Sequence, residues 1–114
     1  PQIVLNGEKA EDVPKSIEIK GLKISVRKLT KQDVEQRNLP PSTTGAVITS
    51  VDENSPINYL RINNIIVEAQ KKKIKTVGDL QNIVNSRLRS SDKTILIAVI
   101  NNQNQKRYIG VKLK

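Results

Sequence analysis

Apolar and polar residues alternate from Ile17 to Val26, with Ile17, Ile19, Leu22, Ile24 and Val26 apolar, and the phase slips by one residue at Lys20-Gly21. Alternation marks a strand with one buried face, and the glycine inside it predicts a β-bulge or a tight bend. The period changes in "LTKQDVEQRNLPP". Thr30 caps a helix over Lys31 to Leu39, Asp33 sits in its first turn, Leu29 and Val34 form a hydrophobic staple, and Pro40-Pro41 end it. The β-branched run Gly45 to Val51 predicts a strand, and Ser55-Pro56 a single helical turn over Pro56 to Leu60. A strand at Ile65 to Ala69, a turn at Gln70-Lys71 and a short return through Ile74 follow. Thr76 then caps "VGDLQNIVNSRL", in which Val77, Leu80, Val84 and Leu88 share one face. The tail reads as a hairpin of Ile95 to Ile100 and Arg107 to Leu113 around the polar "NNQNQ".

Strands outnumber helices and hairpins dominate, which predicts an antiparallel α+β domain and not a doubly wound sheet. At 114 residues the chain holds one domain. Gln2 to Leu5 fits a strand, but the polar "NGEKAEDVPK" after it has linker composition. Residues 1–15 are therefore expected to be the end of a preceding domain plus a linker, and 16–114 the domain itself.

Composition removes several function classes. The chain has no histidine and no cysteine, which excludes a Ser-His-Asp triad, a disulfide and a thiolate metal site. Ser25 and Ser50 therefore have no histidine base, and neither a metal nor a cofactor is expected. The net charge of +9 asks for an anionic partner. Its densest basic run is "KKKIK", Lys71 to Lys75. No apolar segment is long enough to span a bilayer.

Gly21 opens a further reading, because a loop that turns into a strand exposes backbone N–H groups able to hold an anion. The order of elements extends it. "TGAVITSVDENSPINYLRINNIIVEAQKKKIKTVGDLQNIVN", Thr44 to Asn85, resembles the PDZ domains of the bacterial HtrA/DegP serine proteases. Gly45-Ala46-Val47-Ile48 matches the opening strand of that pattern, Ser55-Pro56 its short helix, Ile65 to Ala69 the next strand, and Thr76 to Leu80 the start of its groove helix. "GLKISVRKLT" resembles the family's binding-loop strand. The extra helix and the opening "IVLNGEKAEDVP" look most like the second, C-terminal PDZ domain of such a protease. Asn63-Asn64 replaces the family's Gly-Asp pair. Gln70-Lys71 replaces its Asn-Gly turn, which predicts a longer or looser connection there.

The resemblance implies a PDZ-like antiparallel barrel or sandwich of about five to six strands in permuted order, capped by two main helices. It implies a non-catalytic module of a periplasmic serine protease that binds peptides or unfolded C-termini by β-augmentation and serves substrate tethering or oligomer assembly. The site carried over comprises Ile19, Lys20, Gly21, Leu22, Lys23, Ile24, Ser25 and Val26, with Leu80, Ile83 and Val84 from the helix. A peptide would add to Leu22–Val26, its carboxylate would meet the N–H groups of Lys20 to Leu22, and Leu22, Ile24, Leu80 and Ile83 would line an apolar pocket. The alternative is a basic RNA- or anion-binding domain using the Lys71–Lys75 hairpin. With Tyr59 and Tyr108 as the only aromatics, base stacking has few platforms, and nucleic acid is the less favoured partner.

Overall fold

The unbroken apolar runs have a simple cause, a sheet buried on both faces. A computed structural model describes residues 15–113. In it, Ala46 and Ile48 point into one core and Val47 into another, Ile66 opposes Ile65 and Val67, and Ile97 and Val99 oppose Ala98. Strands covered on one face alternate in polarity, whereas strands covered on both read as continuous apolar segments.

The strands are β1 (Ile17–Ile19), β2 (Ile24–Lys28), β3 (Ala46–Val51), β4 (Ile65–Ala69), β5 (Lys72–Lys73), β6 (Thr94–Ile100) and β7 (Lys106–Lys112), with helices α1 (Lys31–Gln36) and α2 (Val77–Leu88). All pair antiparallel in one seven-stranded sheet of order β1-β2-β3-β4-β6-β7, and β5 pairs off the path with β4. The α+β antiparallel class is as expected, with more strands than the family pattern implied because β1 and the two-residue β5 count separately.

The larger core lies under α2, where Val77, Leu80 and Val84 meet Ile19, Leu22, Ile24, Ile48, Ile66, Ile95 and Ile97. The smaller lies under α1, where Val34 and Leu29 meet Val47, Ile65, Val67 and Ala98. The staple expected of Leu29 and Val34 is thus a contact within this second core. Both helices start at a reciprocal capping box, Thr30 with Asp33 and Thr76 with Asp79. α1 stops at Gln36, short of Leu39, and Asn38 leaves it with φ 57°.

Two local expectations fail. Pro56 to Leu60 forms turns, not a helical turn, and buried Ser55 is committed elsewhere: its hydroxyl donates to the Leu22 carbonyl and accepts from the Ile57 N–H. The Gln70-Lys71 connection is tight, not loose. Both residues take positive φ, 55° and 66°, the pairing that a two-residue type I′ turn requires. The Gln70 side chain explains how it does so without glycine. Its Oε1 accepts from Leu96 N–H while the backbone N–H of Gln70 donates to Leu96 C=O, both at 2.7 Å, so the residue extends the β4–β6 ladder and pins the turn.

Gly45 is fixed by packing. A Cβ there would stand 2.6 Å from the Ile66 carbonyl oxygen, where β3 and β4 begin their pairing. Asn63, in place of the family's glycine, holds φ 72°, and buried Asn64 accepts the Arg61 N–H on its Oδ1.

Candidate functional site

The period slip at Lys20-Gly21 is a hairpin turn. β1 and β2 face each other from Ile17 opposite Val26 to Ile19 opposite Ile24, and Lys20 to Lys23 connect them. The N–H groups of Leu22 and Lys23 donate to the Ile19 carbonyl at 3.3 and 3.0 Å. Gly21 takes φ 92°, and a Cβ on it would lie 3.1 Å from the Cδ1 and Cδ2 atoms of Leu88. Conformation and the end of α2 together require a glycine.

This turn changes where a strand can be added. β2 is already paired on both sides, with β1 along one edge and β3 along the other, from Ile24 opposite Val51 to Lys28 opposite Ala46. A peptide cannot join Leu22–Val26 without displacing one of them, so addition at that segment is corrected. Of the three N–H groups expected to cradle the carboxylate, that of Leu22 is spent on Ile19. Among the apolar candidates, Ile19 and Ile83 each border a cleft, and the others are sealed in the core. Ile19, Leu22, Ile24, Val26, Leu80 and Val84 are buried against one another in the larger core, at 0 to 2% exposure. Lys23 and Ser25 are half-buried, Gly21 is buried, and Lys20 is exposed. Ile83 faces the other side of α2, in a cleft of 380 Å³ with Gln70, Lys72, Asn82, Ser86 and Arg87.

What the fold leaves open is the outer edge of β1. Among the described residues β1 pairs only with β2, and α2 runs beside it. Between them lies a cleft of 240 Å³, with Glu18, Ile19 and Lys20 on the strand side and Gln81 and Asn85 on the helix side. Sequence reasoning missed Glu18, Gln81 and Asn85. The available signal was the polar pair one helical turn apart, flanking the buried Leu80 and Val84 on the side opposite Ile83.

The charged groups cluster elsewhere. Arg27 grips Asp33 with two hydrogen bonds of 2.7 and 3.0 Å, and this contact is the main reason the Asp33 carboxyl titrates at about 2. Lys106 bonds Glu68 at 2.8 Å, which raises the lysine's pKa. Lys71, Lys72, Lys73 and Lys75 are exposed, and neither tyrosine lines the two clefts beside that hairpin. Among the described residues no group of three or more carboxylates is placed to hold a metal ion, and no helix is long and apolar enough to cross a membrane.

No family model and no curated protein matches the chain in sequence. Among solved structures, it is similar to the HtrA-type protease AlgW with decapeptide, at a TM-score of 0.60 and 19% identity over 89% of this chain. The matched region spans 29% of that protease's chain. At that identity the likeness is one of fold: this α+β domain shares its architecture with part of an HtrA-type protease.

Proposed function

We propose that the chain is a non-catalytic, PDZ-type peptide-binding domain that takes an extended peptide or unfolded C-terminus as an added strand on the outer edge of β1. The observation that carries this reading is the edge of Ile17–Ile19, unpaired among the described residues and lying alongside α2 with a cleft between them. Main-chain pairing would supply the affinity, and Gln81 and Asn85 would contact the peptide's side chains from the helix. In an antiparallel addition the peptide's C-terminus runs past Ile17 toward Ser16 and Lys15. Lys20 and Gly21 then lie at the other end of the groove, and Gly21 serves the turn. Pairing through the main chain discriminates little among sequences, which suits a module that tethers many unfolded substrates to a parent serine protease, or subunits to one another. The likeness in fold to a protease solved with a decapeptide supports this, and the resemblance to HtrA-type domains supports a periplasmic setting with residues 1–15 as the tail of a preceding domain.

The test is a titration of the isotope-labelled chain with ten-residue peptides ending in apolar residues, as free acids and as amides. Amide shifts are expected at Ile17–Lys20, Gln81 and Asn85, with affinities on the order of micromolar or weaker. Asn85→Trp should fill the cleft and remove the response while the rest of the spectrum stays in place. Silence along β1 and α2 across the panel overturns the reading.

A further inference from the structure

The sheet has a second free edge, longer than the first and chemically unlike it. β7 spans Lys106–Lys112, and among the described residues it pairs only with β6. Two bonds fix the phase of that pairing: Asn101 N–H to Gln105 C=O at 3.0 Å, and Leu113 N–H to Lys93 C=O at 2.9 Å. In an antiparallel ladder hydrogen-bonded pairs alternate with non-bonded ones, so Arg107, Ile109 and Val111 bond inward to β6. The N–H and C=O groups of Lys106, Tyr108, Gly110 and Lys112 therefore point away from the sheet. The face of the strand is open at its middle as well, since among the described residues a Cβ built on Gly110 meets no atom within 4 Å.

Beside its first half lies a cleft of 570 Å³, walled by Tyr59 and Arg61 on one side and Arg107 and Tyr108 on the other, with no acidic residue in its lining. These tyrosines are the chain's only aromatics, and they stand 60% and 57% exposed. Exposed tyrosine and arginine around an open main-chain edge is the composition of an interaction surface and not of a solvated one.

We propose that β7 is a second docking edge, which accepts an extended acidic peptide segment as an added strand. Lysines along an edge discourage pairing with another basic strand. A second copy of this chain, paired antiparallel about Ile109, would set Lys106 against Lys112 at both ends, and like charges across a ladder repel. A strand bearing glutamate or aspartate meets Lys112, Arg61 and Arg107 with attraction, while Lys106 is already held by Glu68. Single-stranded RNA would engage the tyrosines and arginines but leaves the outward N–H and C=O groups unpaired, so the edge favours a peptide. This site is independent of the β1 groove and does not need a free C-terminus.

The experiment uses the full chain and a heptapeptide alternating glutamate and valine, acetylated and amidated so that it offers no terminal carboxylate. In the free chain the amides of Lys106, Tyr108, Gly110 and Lys112 should exchange rapidly with solvent, and those of Arg107, Ile109 and Val111 slowly. The peptide should slow and shift the first set. Gly110→Pro removes one outward N–H and should weaken binding about tenfold, the scale of one or two main-chain hydrogen bonds. Because proline can also disturb the strand, the pair Arg61→Glu and Arg107→Glu provides a surface-only variant, expected to abolish the response with α2 exchange unchanged. Slow exchange of the first set before any peptide is added means that another part of the chain or a second copy already fills the edge, and overturns the proposal. So does an equal response to a control heptapeptide with glutamine in place of each glutamate, a response confined to β1, or shifts at Tyr59 and Tyr108 with oligouridine but not with peptide.

Discussion

The two helices begin with the same device and depend on it to different degrees. α1 and α2 both start at a threonine whose hydroxyl accepts the N–H of an aspartate three residues on, at 3.1 Å in each case. Beyond that they diverge. α2 has twelve residues and buries Val77, Leu80 and Val84 in the larger core, whereas α1 has six and buries only Val34. A six-residue helix is too short to hold itself in water, and one buried side chain adds little. α1 compensates through its cap: Asp33 also takes the bidentate Arg27 contact, which ties it to β2. α2 is thus held by burial, and α1 by its first turn.

The largest effect should come from removing that burial. Leu80 is fully buried, and Leu80→Ala should cost the whole domain about 3 kcal/mol, read as a shift in the urea midpoint. Val34→Ala removes fewer atoms from a smaller core and should cost about half that or less. Equal losses would mean that the two helices contribute alike, and the distinction would fall.

Second in size is Asp33→Ala, at about 2 kcal/mol, because it deletes an N-cap partner and strands the Arg27 guanidinium. Its signature should be local. Amide exchange should rise over Lys31–Asn38 while β3, β4 and β6 keep their protection. Acid should reproduce part of this. The Asp33 pKa is depressed from 3.8 to about 2 in the fold, so its contribution is complete above about pH 4 and is lost as pH falls through about 2. In Asp33→Asn the α1 amides should show no such step between pH 4 and pH 2, and a step that persists would assign the transition to another carboxylate.

The same contrast explains what the sequence could show. α2 was legible throughout, since its apolar spacing, its cap and its end at Leu88 all report one long buried face. The start of α1 was equally plain from Thr30 and Asp33, but its end was not. It stops at Gln36 because Asn38 turns left-handed and Arg37 is tied on both sides, its guanidinium to the Asn63 carbonyl and its own carbonyl to the Asn104 side chain. Those partners lie far along the chain, where no local pattern reaches. The Gln70-Lys71 turn was misjudged for the same reason, as its positive φ angles rest on a side-chain bond to Leu96. The site suffered most. Alternation around Gly21 told of strands but not that β1 folds back on β2, and that pairing moves the open edge from Leu22–Val26 to Ile17–Ile19.

The smallest effect separates the helices most cleanly, because the chemistry changed is identical. Thr76→Ala and Thr30→Ala each remove one hydroxyl that caps one aspartate N–H, a loss of about 1 kcal/mol by itself. On α2 the loss should appear as a uniform drop in global stability. The three residues buried below keep the helix in place, and Asp79 still accepts the N–H groups of Lys75 and Thr76 at 3.0 and 3.1 Å. On α1 the same change also removes the hydroxyl's own donation to Asp33 at 2.8 Å, which loosens the carboxylate that Arg27 holds. Fraying of Lys31–Asn38 at full global stability is the expected outcome there. If the two variants lose the same global stability and neither frays locally, the cap is not what holds α1, and packing of Val34 against Val47 and Ile65 must be enough.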